Sequence, residues 1–202
     1  PELASEVSWP DLGEAFAGYM ILEELGRGAF SRVFLAAEES LGHRLVSIKV
    51  CWRGADEADT LGRLQHPNIV QIHSVRVLAD GKLTVICMPY LGRTTLQDVL
   101  SERRRAGLKQ AADILAIVEH VNGPQTRRLL SRPSLTGTYA DGVLQIASAL
   151  ADALQYIHEC GVIHLDLKPS NILLAVDGSP RLLDFNLCYD QDRWQPRLGG
   201  TL

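Results

Sequence analysis

No stretch of this 202-residue chain approaches the roughly eighteen uncharged apolar residues that a membrane-crossing helix needs, so no membrane segment is expected within it. Its opening, PELASEVSWP, has neither a basic start nor an apolar core and does not read as a secretory signal. Pro1 stands where an initiator methionine would, which points to a segment excised from a longer parent whose anchor, if any, lies elsewhere. Cysteine is scarce. Cys51, Cys87, Cys160 and Cys188 lie far apart, form no C-x-x-C pair and mostly sit in apolar runs, which argues against a disulfide framework or zinc site and for reduced thiols in a cytoplasmic setting. Excess positive charge is missing too: 20 basic against 24 acidic side chains give −4, so no global field draws the chain to nucleic acid or an anionic membrane. Internal repeats and low-complexity tracts are absent.

What is present is a chain able to bury a core. With 46% apolar residues it fits one large domain or a two-lobed one, and disorder is excluded. From Tyr19 to Met88, strand-like runs alternate with turns: YMILEELG, SRVFLAAE, RLVSIKVC, IVQIHSVRVL and KLTVICM, with Asp80-Gly81 marking a hairpin between the last two. An antiparallel sheet is expected, interrupted by one helix near ADEADTLGRL that carries Ala58, Leu61 and Leu64 on one face and ends at His66-Pro67. After Gly92 the period becomes helical, in TTLQDVL, KQAADILAIVEHV and YADGVLQIASALADALQYIHE. In the last, Val143, Ile146, Ala147, Leu150, Leu154 and Ile157 predict a buried stripe, Thr138 and Asp141 a near capping box, and Gly161 the stop. SERRRAG and QTRRLLSRPSLTG read as loops between helices. Their arginines, Arg103, Arg104, Arg105, Arg127, Arg128 and Arg132, are expected to form solvated faces rather than a phosphate site.

Chemistry concentrates in a few short stretches. In GRGAFSRV, Gly26 and Gly28 permit close backbone approach, so a hairpin there can fold over a polyphosphate, although a lone G-x-G also serves an ordinary tight turn. Lys49 closes VSIK among apolar neighbours and, if buried, requires an anion; Glu57 is best placed, with Leu61 holding its helix to the sheet, and Asp56 and Asp59 compete. The island IHLDLKPSNILL sets Asp166, Lys168 and Asn171 close together after a long helix. A carboxylate that accepts a hydroxyl proton needs a rigid loop, and a nearby cation can neutralise the phosphoryl group under attack. Asn171 offers a neutral oxygen to Mg2+, and Asp184 in RLLDFNL supplies a carboxylate thirteen residues later.

At this point the chain resembles the eukaryotic-type (Hanks-type) serine/threonine protein kinases. The matching stretches run in family order: LGRGAFSRV, VSIK, Glu57 before LQHPNIV, MPYLG, HLDLKPSN, DFN and GGT. The resemblance implies an α+β, two-lobed fold, with an antiparallel β small lobe and the first part of a mainly helical large lobe. Residues 1–18 become an N-terminal extension, 19–88 the small lobe, 89–93 the hinge and 94–202 a partial large lobe. Leu25, Gly26, Gly28 and Val33 would cover ATP, and Lys49, held by Glu57, would bind its α- and β-phosphates. Met88 would guard the back pocket. Pro89 would offer adenine only a carbonyl, Leu91 an N–H, and Leu173 would pack beneath the ring. Asp166 would be the catalytic base, Lys168 would meet the γ-phosphate, and Asn171 and Asp184 would hold Mg2+. Lys168 and the Gly-Thr at Thr201 resemble the serine/threonine branch, so the implied partner is a protein carrying a Ser or Thr hydroxyl. HPNIV, DFNL and LGGTL resemble bacterial members.

The pattern is broken in places. Ser31 stands at the third glycine, Leu165 at the arginine of H-R-D, and Asn186 at the glycine of D-F-G. Without that arginine, switching by a phosphate on the activation segment is not expected through this position. Asn is the least costly substitute at a positive-φ glycine, so the metal geometry is expected to survive. Eight residues separate Lys49 from Glu57; they span roughly 26 Å when extended, so the pair is reachable on a short helix. The chain stops at GGTL, before an A-P-E motif, so a fragment of limited activity is expected. Leu165 and Asn186 raise the alternative of a silent pseudokinase that binds partners, which the presence of Lys49, Asp166, Asn171 and Asp184 opposes. A small-molecule phosphotransferase is opposed by Lys168, the glycine loop and HPNIV.

Overall fold

The computed structural model describes residues 9–52, 54–78, 81–123, 135–185 and 188–190. Alternation of apolar and polar residues builds a six-stranded sheet: β1 (Ala15–Phe16), β2 (Tyr19–Arg27), β3 (Ser31–Glu38), β4 (Arg44–Trp52), β5 (Ser74–Leu78) and β6 (Leu83–Pro89). Their spatial order is β1-β2-β3-β4-β6-β5, and every neighbouring pair is antiparallel. Tyr19, Phe34, Ile48 and Val85 pack in its core with about 1% exposure or less. Leu78 pairs with Leu83 across the expected hairpin; Gly81 there has φ 87°, and Asp80 lies outside the described residues. One helix, α1 (Ala55–Arg63), follows β4 and buries Ala58 and Leu61.

Two sequence expectations for this unit need correction. The run IVQIHSVRVL is not one strand: β5 begins only at Ser74, while Ile69 bridges Leu182 and residues 63–70 cluster with the second unit. Residues 9–18 are no mere extension. β1 pairs with β2, the Gly13 N–H donates to the Ile21 carbonyl, and Trp9 packs on the sheet's core cluster. The first unit thus comprises Pro1–Gly62 and Gln71–Tyr90, and the change of unit falls between Tyr90 and Leu91.

The second unit carries α2 (Leu96–Ala106), α3 (Ala111–Asn122) and α4 (Tyr139–Glu159). It adds two short antiparallel pairs, β7 (Val162–Ile163) with β10 (Tyr189–Asp190), and β8 (Ile172–Leu174) with β9 (Pro180–Leu182). Val99, Ile114, Val118, Ile146 and Leu174 form its buried cluster. The Thr138–Asp141 capping box is formed, and Gly161 takes φ 73° just past the end of α4. The buried face of α4 differs from the predicted stripe. Gly142, Ile146, Ala153 and Ile157 are inside, whereas Val143 and Ala147 are exposed. Closest approach to α3 occurs at Gly142, where a Cβ would meet Ala111 Cβ at 3.0 Å, and a pattern of apolarity does not register a glycine contact. SERRRAG is also not a loop: α2 runs to Ala106 and stops at Gly107, φ 56°. Arg103 lies on that helix with its guanidinium 5.1 Å from the Tyr139 ring. Arg127, Arg128 and Arg132, like Asn186 and the GGT stretch, lie outside the described residues.

Candidate active site

In the first unit, the β2–β3 turn closes on the Gly28 N–H donating to the Ser31 carbonyl at 2.8 Å, with Gly26 opposite Val33 in the ladder. Gly26 and Gly28 are exposed and have no positive φ. A Cβ on Gly26 would touch nothing, and one on Gly28 only Ser31, most closely its hydroxyl at 3.2 Å. Backbone conformation therefore demands neither glycine, and crowding bears only on Gly28. Leu25 and Val33, half-buried, flank the turn.

Lys49 faces Val33 on one neighbour and Ile86 on the other, a central position that buries its stem. Its Nζ lies 2.7 Å from Glu57 Oε1, with the two side chains only 7% and 2% exposed. The short α1 is sufficient because the eight-residue connection needs only a turn before its first helical residues, and the acidic Asp56 and Glu57 suit a helix N-terminus. Met88 is 8% exposed near the end of β6. The Cys87 carbonyl accepts from the His73 N–H, so strand alternation turns the Pro89 carbonyl to the same side, past Ser74, where the β5 ladder has ended. Proline there forfeits no ladder hydrogen bond.

The second unit assembles the other group. After β7, His164 is 2% exposed. Its Nε2 lies 2.9 Å from the Leu183 carbonyl, and its Nδ1 accepts from the Asp166 N–H at 3.3 Å. Those partners fix the proton on Nε2. The Asp166 N–H also donates to the His164 carbonyl at 2.8 Å, making Leu165, φ 57° and 64% exposed, the apex of a three-residue turn. Asp166 Oδ2 accepts from Lys168 Nζ at 2.7 Å and from Asn171 Nδ2 at 2.9 Å. Asn171 Nδ2 bonds the Asp166 carbonyl as well, at 3.0 Å. The Lys168 hydrogen bond holds the Asp166 carboxyl below the usual carboxylate range; partial burial opposes this, while the Lys168 charge and the Asn171 bond add to it.

Because both Asn171 bonds use its nitrogen, the amide oxygen is the end left to a metal. The Asn171 carbonyl accepts from the Leu183 N–H at 2.9 Å, so the backbone of one candidate ligand is tied to the residue preceding the other, Asp184. Asp184 adopts φ 61°, a conformation acidic residues tolerate better than most. An amide oxygen and a carboxylate form a hard-oxygen pair that suits Mg2+, which retains several waters. Among the described residues no three His, Cys, Asp or Glu gather as a metal cluster. Leu173, 8% exposed, lies in β8 and bridges Thr95, and the Leu91 carbonyl accepts from the Val176 N–H.

Each unit thus brings its own predicted residues together: Lys49 with Glu57 in one, and Asp166, Lys168 and Asn171, with Asp184 through Leu183, in the other. Sequence reasoning gave no role to His164, whose ring ties the loop bearing Asp166 to the segment bearing Asp184 and packs tilted against the Phe185 ring, with centroids 4.8 Å apart. The available signal was a lone histidine two residues before the aspartate. None of the four cysteines is paired in a disulfide, and Cys51 and Cys87 are buried. Among the described residues no helix is long and apolar enough to cross a membrane.

Residues 19–196 match a family model described as protein kinase domain. Over 181 residues the chain is 33% identical to a serine/threonine-protein kinase PknK of Mycobacterium tuberculosis, covering 85% of this chain and 13% of that protein. It is 32% identical over 190 residues to serine/threonine-protein kinase PknF of the same organism, covering 87% and 33%. To NUAK family SNF1-like kinase 2 of Rattus norvegicus it is 32% identical over 180 residues, covering 84% and 23%. The chain therefore spans about a third or less of the length of these curated relatives. Kinases of this kind use ATP and a divalent metal ion. With its motifs in order and nearly all of its length matched, the chain belongs to the eukaryotic-type serine/threonine protein kinase family.

Proposed function

We propose that this chain is the nucleotide-binding and catalytic-loop portion of a serine/threonine protein kinase that transfers the γ-phosphoryl group of ATP to a protein hydroxyl. Residues 19–88 act as its small lobe, 89–93 as the hinge and 94–202 as part of the large lobe. The observation that carries this reading is the state of Asp166: Oδ2 is engaged by Lys168 and Asn171, and among the described residues Oδ1 accepts no hydrogen bond. A carboxylate so held is ionised, oriented and open at one oxygen to a substrate hydroxyl.

Leu25, Gly26, Gly28 and Val33 cover the nucleotide, and Lys49, kept extended by Glu57, bonds the α- and β-phosphates. Met88 closes the back pocket, the Pro89 carbonyl and the Leu91 N–H meet the adenine edge, and Leu173 lies against its face. Mg2+ held by Asn171 and Asp184 neutralises phosphate charge when bound. Asp166 Oδ1 takes the hydroxyl proton as the acceptor oxygen bonds to the γ-phosphorus. The bond from that phosphorus to the β–γ bridging oxygen breaks, and ADP departs. Lys168, beside Asp166, steadies charge on the γ-phosphoryl oxygens. Leu165 offers no cation, so activity does not depend on a phosphate bound at that position. The acceptor is a protein Ser or Thr, nucleic acid is not a partner, and the cysteines, none of them in a disulfide, favour a cytoplasmic setting for this segment.

Phosphate incorporation by the full-length protein, with and without Mg2+, tests this against Asp166→Asn. The reading expects Mg2+-dependent incorporation on Ser or Thr that falls by about 10²–10⁴ in the variant. Equal incorporation by both proteins removes Asp166 from the chemistry.

A further inference from the structure

Asn122, the last residue of α3, is a polar side chain only 5% exposed that has no part in the scheme above. Its amide is used at both ends. Oδ1 accepts from the Arg93 N–H at 2.6 Å, while Nδ2 donates to Thr94 Oγ1 at 3.0 Å and to the Val118 carbonyl at 2.8 Å. Thr94, fully buried, donates its own hydroxyl to the Val118 carbonyl at 3.3 Å. Burying so polar a group is costly unless every bond is made, and here two of the three bonds go to consecutive residues of one non-helical segment.

That segment begins directly after Leu91. Gly92 takes φ 115°, a region that favours glycine, and a Cβ there would sit 2.7 Å from Asn122 Oδ1. Asn122 therefore fills the space that the missing side chain leaves. On its other flank the segment is sewn to the strand carrying Leu173. The Leu91 carbonyl accepts from Val176 N–H, the Thr94 carbonyl accepts from Leu174 N–H, and Thr95 bridges Leu173. The backbone of Leu91 and the side chain of Leu173 are thus held in one frame, and Asn122 locks the free flank of that frame.

We infer that Asn122 is a positioning residue for recognition of the adenine base, acting through Gly92 and Arg93 on Leu91. The inference rests on the reading that Leu91 and Leu173 meet adenine. It predicts a base-specific effect. Loosening the Arg93 N–H displaces a hydrogen-bonding edge and an apolar face, both of which contact the base, and leaves the phosphate-binding side chains where they are.

The test compares binding of MgATP with binding of magnesium tripolyphosphate, which has the phosphates and no base, by calorimetry on the full-length protein. In Asn122→Ala the ATP dissociation constant should rise about tenfold while that for tripolyphosphate stays within about twofold. Thr94→Val keeps the shape and removes the hydroxyl that Asn122 bonds. It should move the same ratio in the same direction, which preserves the test should Asn122→Ala not fold. Equal weakening of both ligands, or of neither, overturns the inference. Wild-type protein that binds neither ligand overturns the nucleotide reading itself, which is a different outcome.

Discussion

Lys168 determines much of the state of Asp166. Since its hydrogen bond is the largest influence lowering the Asp166 carboxyl, Lys168→Ala should raise that carboxyl toward the ordinary carboxylate range. A carbon-detected NMR titration of Asp166 reads the change directly. A depressed carboxyl stabilises the fold at every pH above its unfolded value and loses that contribution as pH falls through its folded value, so wild type carries a small stability near neutral pH that the variant lacks, and the two converge in acid. Lys49 and Glu57 behave differently because both are buried. Glu57→Ala removes the carboxylate 2.7 Å from that buried ammonium and should cost up to about 3–5 kcal/mol in urea unfolding. A loss under about 1 kcal/mol would show that the ammonium finds water or another anion. At this scale the sequence was most legible where expected neighbours lie close in the chain, as in the Lys49–Glu57 pair and the Asp166, Lys168 and Asn171 group. His164 and Asn122 were missed because their roles lie in bonds to distant backbone, at Leu183 and Arg93, which spacing along the chain does not encode.

Most strands were legible from their β-branched runs, although β3, β4 and β6 bury consecutive residues rather than alternate ones, and α1 was legible as a short helix despite Gly62 within it. What failed did so for identifiable reasons. SERRRA looked like a charged loop, yet Arg, Glu and Ala are good helix formers and Gly107 supplies the stop, so propensity outweighed the charge run. Ile69 and Val70 looked like the start of β5, but a β-branched pair fits either sheet, and partner choice is tertiary. The segment before Tyr19 was read only as an N-terminal extension. Its anchor is Trp9, packed edge-on to Trp52 at 6.1 Å and lying beneath Arg32 at 5.0 Å. Trp9→Ala should therefore destabilise the sheet by about 2 kcal/mol, through lost packing and cation–π contact, measured as a shift in the urea midpoint. Thr138→Ala removes one side of the α4 capping box and should cost about 1 kcal/mol by the same assay.

The chain divides into two units that each hold part of the predicted chemistry, Lys49 and Glu57 in the first, Asp166, Asn171 and Asp184 in the second. Family order of the motifs made this division readable in advance, since the strands precede the helices and the sign of periodicity changes after Gly92. Its boundaries were not readable, because residues 63–70 leave the sheet's neighbourhood before β5 rejoins it. The central claim is that Lys49 and Asp184 both serve binding of a metal-bound nucleotide. Equilibrium binding of MgATP to the full-length protein, to Lys49→Met and to Asp184→Asn tests it most directly. The account predicts that each substitution weakens the same saturable site by about tenfold or more, and that the double variant loses less than the sum of the two. Undiminished MgATP affinity in either single variant would contradict it.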